Sequence, residues 1–406
     1  MEAIMTKIDL NNLDKSTWMT FTFEEIASKV SETIDPNKTE LEIYIGLEHI
    51  DAEDIHIRRK GRPDDVNGQK LKCYPGDVIF GKRRAYQRKA AIVDFEGICS
   101  AHAFVLRANQ EVIDPNLFPF FLHSDQFMHR MVDISVGGLS PTINWGDLKH
   151  QEFQLPPKDQ QAQLTDLLCA MDEVIEKEKL LLVEIKQFLH VKMIELLNGY
   201  NLVSDKTKLP NGWTIKKISE LGKLNTSSVD KKIIENDKMI NLVNYMDVYS
   251  SMDKKIDNRI NFMRVTANEN QLIKNQLKKG DVLFTPSSET SDDIGHSAVV
   301  YEDLVDTLHS YHLVRLSFKD EMDLNFKRFI FNNPKVLYHF AILSKGVTRM
   351  TLSLEDFNNT EVRIPSKKEQ IEIAEKLSLI LNNKFFVENK IKSSESLQKS
   401  LINQVF

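Results

Sequence analysis

The chain has 406 residues, enough for two or three domains that each bury a core. Hydrophobic residues at 41% and charged residues at 28% describe an ordinary globular protein and exclude a disordered one. The net charge of −6 at first argues against a nucleic-acid partner, but it is unevenly spread: residues 58–89 carry eleven Lys/Arg against three Asp, a net +8.

A local basic patch is what phosphate binding needs, because neutralised phosphates release condensed counterions. Taken alone, that window reads equally well as a solvated basic face. The longest apolar runs, such as Leu180-Leu181-Leu182-Val183, are too short to span a bilayer. The start, Met1-Glu2-Ala3-Ile4-Met5, lacks the basic-then-apolar pattern of a secretion signal, so a cytoplasmic location with no membrane partner is expected. Cys73, Cys99 and Cys169 are scattered and odd in number, which argues against a disulfide framework.

In chain order, strand signals fall at Glu42-Ile43-Tyr44-Ile45, Asp77-Val78-Ile79-Phe80 and Ala103-Phe104-Val105-Leu106, and a helix is expected over residues 119–131. Pro156-Pro157 then announces a long helix over residues 158–197, which contains no Pro or Gly and is followed by Gly199. Its heptad-like stripe is Leu164, Leu167, Leu168, Met171, Val174, Ile175, Leu181, Leu182, Ile185, Phe188 and Leu189, interrupted by Glu178 and Lys192. The same plan follows again. Strands are expected at Met239-Ile240-Asn241-Leu242-Val243, Asp281-Val282-Leu283-Phe284 and Leu313-Val314-Arg315-Leu316, and a helix over residues 326–343. The final helix starts at about Lys367, with Ile373, Leu377, Ile380, Leu381, Val387 and Ile391 in its stripe.

The recurrence is an internal repeat. Residues 116–161 align without gaps onto residues 325–370, matching Phe120 with Phe329, Ser135 with Ser344, Gly137 with Gly346, Thr142 with Thr351, Asp147 with Asp356 and Pro156 with Pro365. Upstream, Gly76-Asp77 matches Gly280-Asp281, His102 matches His312 and Trp18 matches Trp213. The expected fold class is therefore α+β (mixed α/β), with two tandem globular domains, residues 1–156 and 201–365. Long helices follow each, at 157–200 and 366–406. An apolar seam ~60 Å long, from forty residues at 1.5 Å each, would be exposed on a lone helix, so the two helices are expected to pair as an antiparallel coiled coil.

On these residues the chain resembles the specificity (S) subunits of Type I restriction–modification enzymes. That family shows a recognition domain closing on a Gly-containing loop, a Leu-x-Pro-Pro-like junction, a Glu-Gln and a long helix, all twice over. Here the first copy reads Gly137-Gly138-Leu139, then Leu155-Pro156-Pro157-Lys158-Asp159-Gln160-Gln161; the second reads Gly346-Val347-Thr348, then Ile364-Pro365-Ser366-Lys367-Lys368-Glu369-Gln370. Ser366 departs from the second proline and Gln160 from the usual Glu. The resemblance spans essentially the whole chain. It implies a non-catalytic subunit in which each target recognition domain reads one part of a split double-stranded DNA target. The helices would act as a ruler and as the dock for two methyltransferase (M) subunits, with a motor-nuclease (R) subunit joining the complex. S-adenosylmethionine, ATP and Mg would sit on those partners and no cofactor on this chain. An alternative from another class is a helical scaffold with two protein-binding heads and no DNA readout.

The residues expected at DNA follow from their hydrogen-bonding chemistry. After the Gly-Asp strand of the first copy comes a loop with Lys82, Arg83, Arg84, Tyr86, Arg88 and Lys89, preceded upstream by Arg58, Arg59, Lys60 and Arg62. Arginine can grip guanine O6 and N7 with two hydrogen bonds, and lysine neutralises phosphate. The second copy offers Ser287, Ser288 and Thr290, with Glu289 able to accept from cytosine N4, together with Arg259, Lys345 and Arg349. Residues 254–279 carry seven Lys/Arg against two acids. The alternative for each of these side chains is that it only keeps the surface soluble. His102 and His312 are read as buried, hydrogen-bonded histidines, with a DNA contact as the alternative. No Gly-x-x-x-x-Gly-Lys-Ser/Thr loop and no Asn/Asp-Pro-Pro-aromatic site is present, since Asn333-Pro334-Lys335 lacks the second proline and the aromatic. Cys99 and His102 alone make no zinc site.

Overall fold

The computed structural model describes residues 15–203, 205 and 208–406. The start read for a secretion signal, with the rest of residues 1–14 of the expected first domain, and residues 204, 206 and 207 of the second lie outside them. The chain divides into two units, Met1–Lys179 with Asn389–Phe406, and Leu180–Glu388.

In the first unit, strand Met19–Thr22 pairs antiparallel with Glu152–Leu155, so the globular part ends beside its own beginning. A four-stranded antiparallel sheet runs Ala27–Val30, Ala103–Ala108, Val78–Gly81, Ala90–Ile92. A second sheet runs Thr33–Ile34, Lys70–Cys73, Gly97–Cys99, Tyr44–Ile45. The strand from Val78 is apolar at successive positions because both its faces are covered. Val78 and Phe80 join an aromatic core with Phe23, Phe118, Phe121, Phe127 and Phe153, while Ile79 points the other way into Ile45, Cys73, Cys99 and Val105.

The second unit repeats this frame. Thr214–Lys217 pairs with Glu361–Ile364, and a five-stranded sheet runs Gly222–Thr226, Val314–Phe318, Val282–Phe284, Ser297–Val300, Lys255–Ile256. Beside it lie Met263–Ala267, Lys238–Val243 and Thr307–His309. The six expected strands are present, with Glu42 and Ile43 falling outside Tyr44–Ile45.

Each helix expected after the sheet is in fact two. Phe118–His123 and Asp125–Asp133 are separated by extended Ser124, whose hydroxyl accepts from Phe127 N–H at 3.2 Å as an N-cap. Leu324–Ile330 and Pro334–Leu343 are separated at Asn333, which caps the second helix and is held extended by the proline after it.

Both junctions into the long helices are locked alike. Trp18 Nε1–H donates to Gln160 Oε1 at 3.1 Å, and Trp213 Nε1–H to Glu369 Oε1 at 3.0 Å. The glutamine that departs from the family pattern thus keeps the acceptor the junction uses. The next residue binds backbone in each unit: Gln161 accepts from Asp114 N–H and donates to Pro156 O, both at 2.8 Å, and Gln370 accepts from Asp323 N–H and donates to Pro365 O, both at 3.0 Å.

The long helices are Lys158–Leu197 and Lys367–Val405. Within the first unit, Leu164 and Leu168 share a core with Leu401, Ile402, Val405 and Phe406, whereas Glu178, later in its helix, meets the earlier Lys390 at 3.0 Å. The pairing is therefore antiparallel. Within the second unit, Leu189, Met193 and Leu197 pack with Ile373, Leu377 and Leu381. Glu178 interrupts the apolar stripe because it is buried against Lys390 and accepts from Ser394 Oγ–H at 3.2 Å. Val174, Leu181 and Phe188, assigned to the seam by periodicity, are instead 48%, 45% and 51% exposed. Spaced seven apart, they form a separate row along one face of the helix.

Candidate nucleic-acid interface

In the first unit, strand Val78–Gly81 ends opposite Ala103, and the chain continues alongside the glycine loop. Ile143 N–H donates to Lys82 O at 2.9 Å, Arg83 bridges Thr142, and Arg84 N–H donates to Pro141 O at 2.7 Å. Val136 and Thr142 exchange backbone bonds of 3.0 and 2.9 Å, closing residues 136–142 into a hairpin with Gly137 at φ +112°. Arg84 reaches across it, donating from Nε and Nη2 to Ser140 Oγ at 3.3 and 3.1 Å. The sequence thus brings together two loops lying some fifty residues apart, with Leu139 at the tip almost fully exposed.

The second unit builds the same arrangement in the same register. Leu352 N–H donates to Pro286 O at 2.8 Å, Ser287 pairs with Thr351, and Ser288 with Met350. Lys345 and Thr351 exchange backbone bonds of 3.0 and 2.9 Å, with Val347 exposed at the tip. Because the glycine loops align at a constant offset, Lys82 occupies the place of Pro286, Arg83 that of Ser287, Arg84 that of Ser288, and Ser140 that of Arg349. In the first unit the guanidinium stands on the strand side and the hydroxyl on the hairpin; in the second the two are exchanged.

The electrostatics follow from these positions. Lys82 Nζ lies 5.1 Å from the centre of the Phe104 ring, and burial, then the nearby Lys29 charge, hold its pKa below the usual lysine range. Burial, then the charges of Arg349 and Lys231, lower His312. The expectation of buried histidines at these repeated positions is corrected: His102 is exposed and His312 half-buried. They lie in the turns leading into Ala103–Ala108 and Val314–Phe318, at the sheet end where the loops leave. The buried histidines are His123 and His309. Cys99 is buried while His102 is exposed, and among the described residues no His/Cys/Asp/Glu group could hold a metal ion.

Other named candidates are placed elsewhere or committed to the fold. Arg58 binds Asp54 at 2.8 Å and Glu176 at 2.6 Å, tying the domain to its helix, with Glu176 the main cause of its raised pKa. Arg88, with positive φ, bonds to Glu53, Asp125 and His123 O, and Lys89 Nζ donates to Leu47 O at 2.5 Å. Arg259 is held by Asp257 and Asp253. Arg59 pairs with Asp51 at 2.6 Å, and Lys60 lies 3.7 Å from Asp94 and over Phe95. Ser288 is buried, while Arg62, Tyr86, Thr290, Lys345 and Arg349 are exposed. Sequence reasoning missed Lys29, Ser140 and Tyr245, whose hydroxyl donates to Ser287 O at 2.9 Å. Ser140 was detectable as the repeat position of Arg349; Lys29 and Tyr245 carry no such signal.

Comparison with known proteins gives four findings. The family described as Type I restriction modification DNA specificity domain matches residues 15–187 and again 210–394. The Type I restriction enzyme EcoDI specificity subunit of Escherichia coli is 27% identical over 170 residues, 40% of this chain and only 36% of that protein's length. A chain in a structure solved to explain assembly and conformational transition of the type I R-M system matches with TM-score 0.61 at 18% identity, over 96% of this chain and 97% of the other. The Type-I restriction-modification system S subunit from M. genitalium matches with TM-score 0.55 at 13% identity, over 97% and 98%. At such identities the structural likeness speaks for the fold.

Proposed function

Because the chain belongs to the family of Type I restriction modification DNA specificity domains, we propose that its two units each read one half of a split double-stranded DNA target through the paired loops just described. The observation that carries this reading is the shared register: one backbone frame presents Lys-Arg-Arg against a serine in one unit and Pro-Ser-Ser against an arginine in the other. A frame that stays fixed while the side chains it carries change is what reading two different sequences requires. Arg83 and Arg84 suit guanine O6 and N7, and Lys82 suits a phosphate.

The chain itself does no chemistry. Methyltransferase subunits, two of them, dock on the long helices, where the exposed Val174, Leu181 and Phe188 row and the exposed Leu379 and Phe386 offer apolar surface. A motor-nuclease subunit joins through the complex. The S-adenosylmethionine, ATP and Mg used in methylation and translocation belong to those partners, and the assembly works in the cytoplasm. The length of the helices sets the spacing of the half-sites.

The test is domain exchange. Replacing residues 1–155 with the corresponding domain of a relative, then mapping methylated bases genome-wide, should change one half of the target and leave the other and the spacer intact. A swap that altered both halves would remove the modular reading.

A further inference from the structure

At the other end of strand Val282–Phe284 from the Ser287 loop lies a cavity of about 590 Å³. Lys274, Lys278, Lys279, Arg315, Lys319 and Lys327 line it, against three carboxylates, Asp281, Asp320 and Glu321. Two of these cations are buried, and the first unit carries apolar residues at both places, with the counter-charge to its buried Asp77 supplied instead by Arg107 at 2.7 Å. In the sheet register Arg315 stands opposite Leu283 as Val105 stands opposite Ile79, and Lys327 occupies the place of Phe118. Val105 and Phe118 are fully buried apolar residues of the first unit. Replacing two such side chains by cations is costly unless the charges find partners.

The partners inside the protein are incomplete. Arg315 donates from Nη1 to Gln276 O at 2.6 Å and from Nη2 to Lys274 O at 2.9 Å, but its buried Nε has none. Its nearest carboxylate, Asp281, is 3.9 Å away, and burial pushes that carboxyl's pKa up, weakening it as a counter-charge. Lys327 Nζ donates to Gly280 O at 2.8 Å and lies 3.8 Å from the centre of the Phe318 ring. Among the described residues no carboxylate comes within ion-pair distance of it, and burial pulls its pKa down to about 8.

We propose that this cavity is a binding site for a polyphosphate group, the di- or triphosphate of a nucleotide or successive phosphates of a nucleic-acid strand. The cations come from four separate segments: the helix end and loop at 274–279, the strand at Arg315, the loop at Lys319 and the helix at Lys327. A chain of phosphates can engage several of them together, where one phosphate meets only a few. The site is independent of DNA reading by the Arg84 and Ser287 loops.

The experiment is calorimetric titration of the full chain with sodium tripolyphosphate and with ATP. Saturable binding is expected, weakened roughly tenfold or more in Lys327→Met, the loss of one charge-assisted contact. It should weaken several-fold in Lys279→Ala, which lies on the rim. Unchanged melting of both variants would show that folding is not the cause; if Lys327→Met melts early, Lys278→Ala joined to Lys279→Ala gives the same readout from exposed positions. Competition by a short non-cognate duplex would assign the site to a nucleic-acid strand, and binding of ATP without such competition to a free nucleotide. Absence of saturable binding by either probe, or affinity unchanged in these variants, overturns the proposal.

Discussion

The Arg84 loop of the first unit and the Ser288 loop of the second share a backbone register and differ in where the charge stands. In the first, Arg84 on the strand side reaches Ser140 on the hairpin. In the second, Ser288 is buried on the strand side and Arg349 is exposed on the hairpin. The backbone bonds that fix the register involve no variable side chain, so a reading position can change chemistry without moving. The hairpins themselves are not equally tolerant, and that difference gives the largest test. A Cβ on Gly346 would lie 1.9 Å from Arg349 O with φ at +153°, whereas a Cβ on Gly137 meets nothing closer than 3.7 Å at φ +112°. Gly346→Ala must rebuild its hairpin and should cost ~3 kcal/mol or more of recognition at the second half-site, against ~1–2 kcal/mol for Gly137→Ala at the first. Binding to duplexes with one half-site randomised would measure each; equal losses would mean that hairpin geometry does not control recognition.

Next in size come the exchanged donors. Arg84→Ala should weaken the first half-site, and Arg349→Ala the second, by ~1–3 kcal/mol with relaxed preference at one base pair if the guanidinium grips a guanine. Ser140→Ala and Ser288→Ala should cost only ~0.5–1.5 kcal/mol. Losses that are equal on all sequences and accompanied by a shallower salt dependence would assign the arginines to phosphate. A loss at the wrong half-site would break the correspondence between the loops.

Acid should weaken the second unit by a similar amount at a position where the first has no titrating imidazole. His309 takes the second unit's place of Cys99, since both precede a serine whose N–H donates to the neighbouring parallel strand, at Val243 O and Ile45 O. Burial, then the Arg315 charge, depress His309 to about 3. Its neutral form is favoured by the fold, so its contribution is intact above the unfolded value near 6.5 and is lost as pH falls from there toward 3. Between pH 7 and 5 the second unit should lose ~2 kcal/mol through this group. Hydrogen exchange of its strands should show the slope and His309→Leu should flatten it; an unaltered slope in the variant would place the titration elsewhere.

The long helices, the strands and the doubling were legible because each rests on periodicity or on a glycine, proline or tryptophan whose role is local. The split at Ser124 and at Asn333 was also local, but the apolar pattern running through both helices concealed the caps. The partners of Arg58, Arg88 and Arg259 were not legible: a basic run looks the same whether its charges face solvent or carboxylates, as Arg58 does with Glu176 more than a hundred residues away. Likewise Val174, Leu181 and Phe188 match the heptad as well as the true seam does. Only the position of the partner helix decides which row is covered.

The smallest effect concerns how each domain grips its helix. In the first unit His56 Nε2 lies 2.8 Å from an Asp172 carboxylate oxygen, and Arg58 binds Glu176 one turn further along. At the repeat offset these helix positions are Leu381 and Phe385, which pack in the apolar core of the second unit. At these two positions one unit grips by charge and the other by burial, and only the first pair should respond to pH through an ion pair. His56 has a raised pKa, chiefly from its bond to Asp172 and then from the charges of Asp172 and Glu176, against burial and Arg58. The protonated form is the one favoured in the fold, so the stabilisation is complete below the unfolded value near 6.5 and disappears as pH rises through the folded value. His56 is a third exposed, so water screens the pair and its contribution should stay under about 1 kcal/mol. His56→Gln, which can still donate a neutral hydrogen bond, should therefore be less stable than the parent at about pH 6 and indistinguishable from it at about pH 9. Leu381→Ala in the other unit should cost ~2–5 kcal/mol at both values, because a cavity does not titrate. A His56→Gln deficit that persisted undiminished at the higher pH would mean that His56 acts by packing, and that the two grips differ less than their residues suggest.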